Sequence, residues 1–289
     1  MSTIRRIGTK GRIVSLEVGE STRISSTALI GAGVKIGKNV KIGRNAEIGN
    51  YSVIGDDSVI GANARLGMRV KLRNGTTIGR NAVVGDYSLL VHCTISENCS
   101  IGERARCAGM ILEGGTHVGT NFQVSSFSDW FAGYYEAKTT VIKAAIIGDN
   151  VSMFGQMNVG GYGSARRTVI GDETTIDNEY SSHPITIADY VDIGKRCLIN
   201  RSNIDLSASI GDDVRLDGAT IGWYACVGNG AHVQSTVGRG AHVGAEAIIR
   251  PNANILEDWF IPDGAIVNPI PGSVTPFVIP RVNPAIIGE

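Results

Sequence analysis

Read in sixes from residue 28, the chain runs ALIGAG VKIGKN VKIGRN AEIGNY SVIGDD SVIGAN ARLGMR VKLRNG TTIGRN AVVGDY SLLVHC. Every sixth residue is aliphatic, from Ile30 and Ile36 through Leu66 and Ile78 to Leu90, and the register extends back through Ile24 to Val18. Two places before each aliphatic from Ile30 to Leu90 stands Ala, Val, Ser or Thr. Gly follows the aliphatic in nine of the eleven hexads, Arg73 and Val91 being the exceptions. One large and one small inward residue per hexad fit a short strand whose side chains alternate in and out. A turn must follow, because no alternation persists beyond one hexad. A helix would show a period of about 3.6 and would be weakened by this much Gly and β-branching.

Three strands and three turns close a coil of three hexads, so residues three hexads apart stack. Two corner columns agree: Asn45, Asn63 and Asn81 in one, Asn39, Asp57 and Gly75 in the other. These residue types tolerate left-handed backbone. The third column, Gly33, Tyr51, Arg69 and Tyr87, does not share that chemistry. The pattern predicts an all-β solenoid. Residues 1–17 form an N-terminal cap, residues 18–256 the repeat array of about 12 coils, and residues 257–289 a Pro-rich cap or tail. Seven of the eight prolines lie beyond residue 250, and a Pro-rich tail is expected to leave the ladder. One-residue slips are expected before Ile95 and near Ile204, Ile221 and Val237. The hexads fail over about 123–144, a segment holding Phe127, Trp130, Phe131, Tyr134 and Tyr135, which reads as one extruded loop.

Composition adds exclusions. Lys plus Arg and Asp plus Glu each number 27, which argues against a nucleic-acid or membrane-surface binder. MSTIRRIGTKGRIV contains no long apolar run, so neither a signal peptide nor a membrane helix is expected. Five cysteines without a CxxC read as reduced thiols and a cytoplasmic location, with Cys93 and Cys99 as packing residues.

The hexads resemble the hexapeptide-repeat, left-handed parallel β-helix acyltransferase superfamily, over roughly residues 18 to 256. Within it, SSHPITIADYVDIGKRCLI is similar to the region of sugar O-acetyltransferases where a His-bearing loop leads into an ITIG-type hexad pair. That likeness implies His183 as a general base, suited by an unperturbed pKa near 6.5. Glu179 is its nearest acidic neighbour, with Asp177 and Asp189 as further choices. His117, which precedes the inward Val118, is the alternative base. His232 and His242 precede inward valines and should point outward, and His92 should sit at a corner. GAEAIIRPN resembles the strand along which pantetheine runs in the family, which implies Gly244, Ala245 and Arg250 as cofactor-binding residues.

The resemblance therefore implies transfer from acetyl-CoA or another acyl-CoA, with no metal, to the hydroxyl or amine of a sugar or sugar-nucleotide. It also implies a homotrimer with clefts between subunits. Two alternatives stay open. One is a γ-class carbonic anhydrase-like metalloprotein, which needs a histidine triad with two members about five residues apart. No such pair occurs here. The other is a non-catalytic β-helix scaffold or binding protein.

Overall fold

The computed structural model describes residues 17–113, 115–125, 140–143, 145–154, 157–160, 168–178, 184–269 and 277–279. Among these there is no helix; the secondary structure is short strands separated by tight turns. The chain divides into two compact units, Met1–Gln156 and Met157–Glu289. Each is the parallel solenoid that the hexads predict, built from three sheets visited in rotation and consistent with the left-handed β-helix that the resemblance implies.

In the first unit, the first sheet has eight parallel strands, from Glu17–Val18 to Ser152–Phe154. The second and third sheets have seven each, from Arg23–Ile24 to Thr140–Lys143 and from Leu29–Ile30 to Ala145–Ile147. Register follows the three-hexad coil: Lys35 pairs with Val53, Lys41 with Val59, Glu47 with Arg65. The inward aliphatics Ile54, Ile60, Leu72, Ile78 and Leu90 are fully buried, and so are the small inward residues Val34, Val40, Ala46 and Ala64 of other hexads. Where the small partner is Ser or Thr, its hydroxyl is satisfied inside the wall. Ser52 Oγ donates to the Gly67 carbonyl at 3.0 Å and accepts from the Val70 N–H at 3.1 Å.

The corners explain the third column. Asn45 and Asn63 have φ near 53° and 57°, but so do Tyr51 (61°), Arg69 (55°) and Tyr87 (61°), alongside Gly33. A bulky residue in left-handed backbone costs roughly 1–2 kcal/mol, and stacking between coils offsets it. The Arg69 guanidinium lies 6.0 Å from the Tyr51 ring centre and 5.7 Å from that of Tyr87. The Asn column is tied differently, by side-chain amides. Asn45 Nδ2 donates to Asn63 Oδ1 at 3.3 Å, Asn63 to Asn81 at 3.1 Å, and Asn81 to Asn98 at 3.0 Å.

The slips are shortened corners. At Val91–His92–Cys93 the turn is one position short, so Thr77 pairs with Thr94 and not with Ile95. His92 takes up the bend with φ 50°, and is a corner residue as expected. Gly109, Arg201 and Gly218 do the same at other short corners, with φ 63°, 46° and 67°. The hexad signature is lost over about residues 123–144, yet Gln123–Ser125 and Thr140–Lys143 are ladder strands. The extruded-loop expectation thus falls on residues 126–139, and the N-terminal cap on residues 1–16, both outside the described residues.

In the second unit, five strands form the second sheet, from Met157–Val159 to Thr236–Val237. Six form the third, from Thr168–Ile170 to Phe260–Ile261. The first sheet runs from Thr175–Asp177 and ends with Phe277–Ile279 paired antiparallel to Ile266–Asn268. The ladder therefore continues past residue 256, contrary to the expectation for the Pro-rich tail. The reason lies in position. Pro262 occupies the strand-exit site whose N–H elsewhere donates to the following coil, as Gly244 N–H does to Ile261 O at 2.8 Å. Among the described residues Phe260–Ile261 is the last strand of the third sheet, so the missing donor interrupts no ladder there.

Three substitutions at two positions separate close approach from corner geometry. A Cβ on Gly61 would stand 2.6 Å from Arg80 N and 2.6 Å from Gly79 C. Gly61→Ala is expected to destabilise by roughly 1–3 kcal/mol, because backbone must move. Asn63→Val, which adds a β-branch in left-handed backbone and removes two amide bonds, should cost about 2 kcal/mol, and Asn63→Gly clearly less. Urea midpoints check all three; equal losses for Asn63→Val and Asn63→Gly would contradict the corner account.

Candidate functional site

A two-residue strand shows one side chain outward and one inward. The outward surface of each sheet is therefore a column with one residue per coil, and chemistry arises between residues a whole coil apart. On the third sheet of the first unit that column reads Val83, Ser100, His117, Ile146, set by the pairings Val83 with Ser100, Ser100 with His117 and His117 with Ile146. Ser100 Oγ lies 2.6 Å from His117 Nδ1. The imidazole is exposed, and the exposed aliphatics Val83 and Ile146 bracket the pair. Ser100 was not singled out by sequence reasoning. The signal was there, one position short of a full coil before His117, but it becomes visible only when the short corner at Gly109 is counted.

His183 and Glu179 lie outside the described residues, in the connection from the first to the second sheet of the second unit. The strand entering that connection, Thr175–Asp177, pairs in register with Leu198–Asn200, which pairs with Arg215–Asp217. Asp177, Asn200 and Asp217 thus form a polar column at that corner. Asn200 Nδ2 donates to Asp217 Oδ1 at 3.2 Å, and Arg201 approaches the same oxygen at 3.3 Å.

Of the proposed cofactor residues, Gly244 and Ala245 are committed to the wall. Gly244 N–H bonds Ile261 O, and Ala245 N–H bonds Asp263 Oδ1 at 2.8 Å. They offer a close, side-chain-poor surface but not free donors. Arg250 is exposed on the same unit, and a guanidinium there fits a phosphate group.

His232 and His242 face outward on different sheets, the first and the third of the second unit. Among the described residues no cluster of three or more His, Cys, Asp or Glu side chains is placed to hold a metal. The five cysteines are free thiols; Cys93, Cys99, Cys107 and Cys197 are buried and Cys226 is partly exposed. Burial pushes the Cys93 thiol up to about 11 and holds Cys99, Cys107 and Cys197 above the ordinary range, so these four are packing residues.

His232 carries a stability consequence. Its Nε2 is buried without a protein partner, and its in-register neighbours are Arg215 and Ile248. Burial first, and the Arg215 charge second, hold the imidazole below its ordinary pKa, with Asp217 opposing. A base with a lowered folded pKa binds fewer protons than its unfolded form. Stability is therefore present above the ordinary histidine value of about 6.5 and is lost as pH falls below it toward the folded value. His232→Gln should flatten the fall of the urea midpoint between about pH 7.5 and about pH 5; an unchanged slope would assign that fall to other groups.

Two family models match the chain. "Bacterial transferase hexapeptide (six repeats)" matches residues 21–56, and "GMPPB C-terminal domain" matches residues 39–128. No curated protein matches. Among solved structures, a mutant of GDP-perosamine N-acetyl transferase from Caulobacter crescentus, in complex with CoA and GDP-perosamine, is 22% identical with a TM-score of 0.33. That match covers 38% of this chain and 52% of that one, so the chain spans about half of its length. The Francisella novicida UDP-N-acetylglucosamine acyltransferase is 19% identical, covering 80% and 65% at a TM-score of 0.22. A Bacillus cereus putative acetyltransferase is 13% identical, covering 94% and 86% at 0.20. The hexapeptide-repeat match thus lies within the first unit, over residues 21–56.

Proposed function

We propose that this hexapeptide-repeat protein is an acyl-CoA-dependent transferase that moves an acyl group, acetyl in the first instance, onto the hydroxyl or amine of a sugar or sugar-nucleotide. The observation that carries the reading is the His117 imidazole, exposed on a flat sheet with Nδ1 held by Ser100. An imidazole fixed at one nitrogen and open at the other suits a general base at neutral pH. It would take the proton from the acceptor as that oxygen or nitrogen attacks the thioester carbonyl. The carbon–sulfur bond then breaks, and the departing CoA thiolate takes up a proton.

Arg250 would meet a phosphate of the acyl donor, and the backbone at Gly244 and Ala245 would give the pantetheine arm a surface free of bulky side chains. His183, with Glu179 as its acidic neighbour, is the second base candidate, and it rests on the resemblance of its loop. The hexapeptide match supports a transferase in general and leaves the acceptor to experiment.

The test is turnover of labelled acetyl-CoA against a panel of sugars and sugar-nucleotides. Removing the working base should lower kcat by roughly 10²- to 10⁴-fold with little change in acyl-CoA affinity. His117→Ala is expected to show that loss. If His183→Ala shows it and His117→Ala does not, the base is His183. If the wild type transfers to no acceptor, the scaffold alternative gains.

A further inference from the structure

We propose that Ser100 is the positioning residue of His117, its hydroxyl accepting a hydrogen bond from Nδ1–H so that the lone pair on Nε2 is the one turned outward. This rests on the reading of His117 as the base of acyl transfer. Three features of the third sheet carry it.

The first is contact: Ser100 Oγ and His117 Nδ1 are 2.6 Å apart, well inside hydrogen-bond range. The second is rigidity. Ser100 and His117 are Cα partners in consecutive parallel strands, and the coil bonds hold both. Ser100 N–H donates to Thr116 O at 2.9 Å, and Gly102 N–H to Val118 O at 2.8 Å. The third is the frame. Val83 and Ile146, 40% and 38% exposed, stand before and after the pair in the column, so a ligand laid on this face would meet apolar surface at both ends of it.

A neutral imidazole has one donor and one acceptor nitrogen, and the partner of one nitrogen decides the state of the other. A hydroxyl can play either part. If it donates to Nδ1, the acceptor nitrogen is consumed and Nε2 carries the proton. If it accepts, Nε2 is left as a base. A transferase that uses His117 requires the second arrangement. Among the described residues, His92, His232 and His242 have no comparable hydroxyl contact, which leaves His117 as the described histidine with a set tautomer.

The test is nitrogen NMR of the intact protein with labelled histidine at about pH 8, with the His117 signals assigned from the His117→Gln spectrum. The wild type should show His117 protonated at Nδ1. Ser100→Ala should shift it toward Nε2–H, and Ser100→Thr, which keeps the hydroxyl and suits a strand, should restore the wild-type pattern. In turnover, Ser100→Ala should lower kcat by about tenfold, the rate worth of one hydrogen bond, leave the acyl-donor KM unchanged, and be rescued by Ser100→Thr. A wild-type His117 protonated at Nε2, or a tautomer unmoved by Ser100→Ala, would overturn the assignment. If the tautomer behaves as expected but no acceptor is acylated, the acyl-transfer reading fails while the serine–imidazole assignment stands.

Discussion

The interaction on which the rest depends is the main-chain hydrogen bond that leaves each strand for the next coil. Gly37 N–H meets Ile54 O at 2.8 Å, Gly43 meets Ile60 at 2.8 Å, and Gly61 meets Ile78 at 2.7 Å. With such short strands, a few of these bonds per side carry the whole ladder. They require coils to approach closely at the strand exit, where a Cβ on Gly61 would meet backbone. They also require the chain to turn sharply three times per coil, which places one residue of each corner in left-handed backbone. Gly at the exit and Asn, Asp or Gly at the corner follow from that pair of demands. The alternation of large and small inward residues then fills what the ladder encloses.

The same constraint shapes what the surface can do. Each strand offers one outward side chain, so no single coil can assemble a cluster of groups. Reactive neighbours must come from consecutive coils, and the register decides which residues become neighbours. The shortened corner at Gly109 is therefore of consequence beyond folding. It trims the pairing interval by a single position, and with it sets Ser100 beside His117 and not beside the inward Val118.

Much of the fold could be read directly, because its cause is local and repeated. Val34, Ile36 and Asn39 say the same thing as Val40, Ile42 and Asn45 one hexad later. The parts that could not be read depend on contacts between coils. Tyr51, Arg69 and Tyr87 look unsuited to left-handed corners until Arg69 is seen between the two rings. Gln123–Ser125 lacks the hexad signature yet pairs along the ladder, because neighbouring strands impose its conformation. Pro262 looks like a strand breaker until it is known to stand at the end of its sheet. At the candidate site, His117 was legible as an outward residue, whereas Ser100 was not, since its partner lies a whole coil away. Gly244 and Ala245 were placed by resemblance to a strand, and their committed N–H groups follow from Ile261 and Asp263 in the next coil.

Amide hydrogen exchange at the strand exits around His117 tests the ladder and its register most directly. The N–H groups of Gly85, Gly102 and Gly119 donate to Ile101, Val118 and Ile147, each at 2.8 Å. The account predicts that all three are protected to the same degree as the amides of buried Leu90 and Val118, because they open with the ladder and not before it. Exchange of these glycines at the rate of an unstructured chain, while the core amides stay protected, would contradict it.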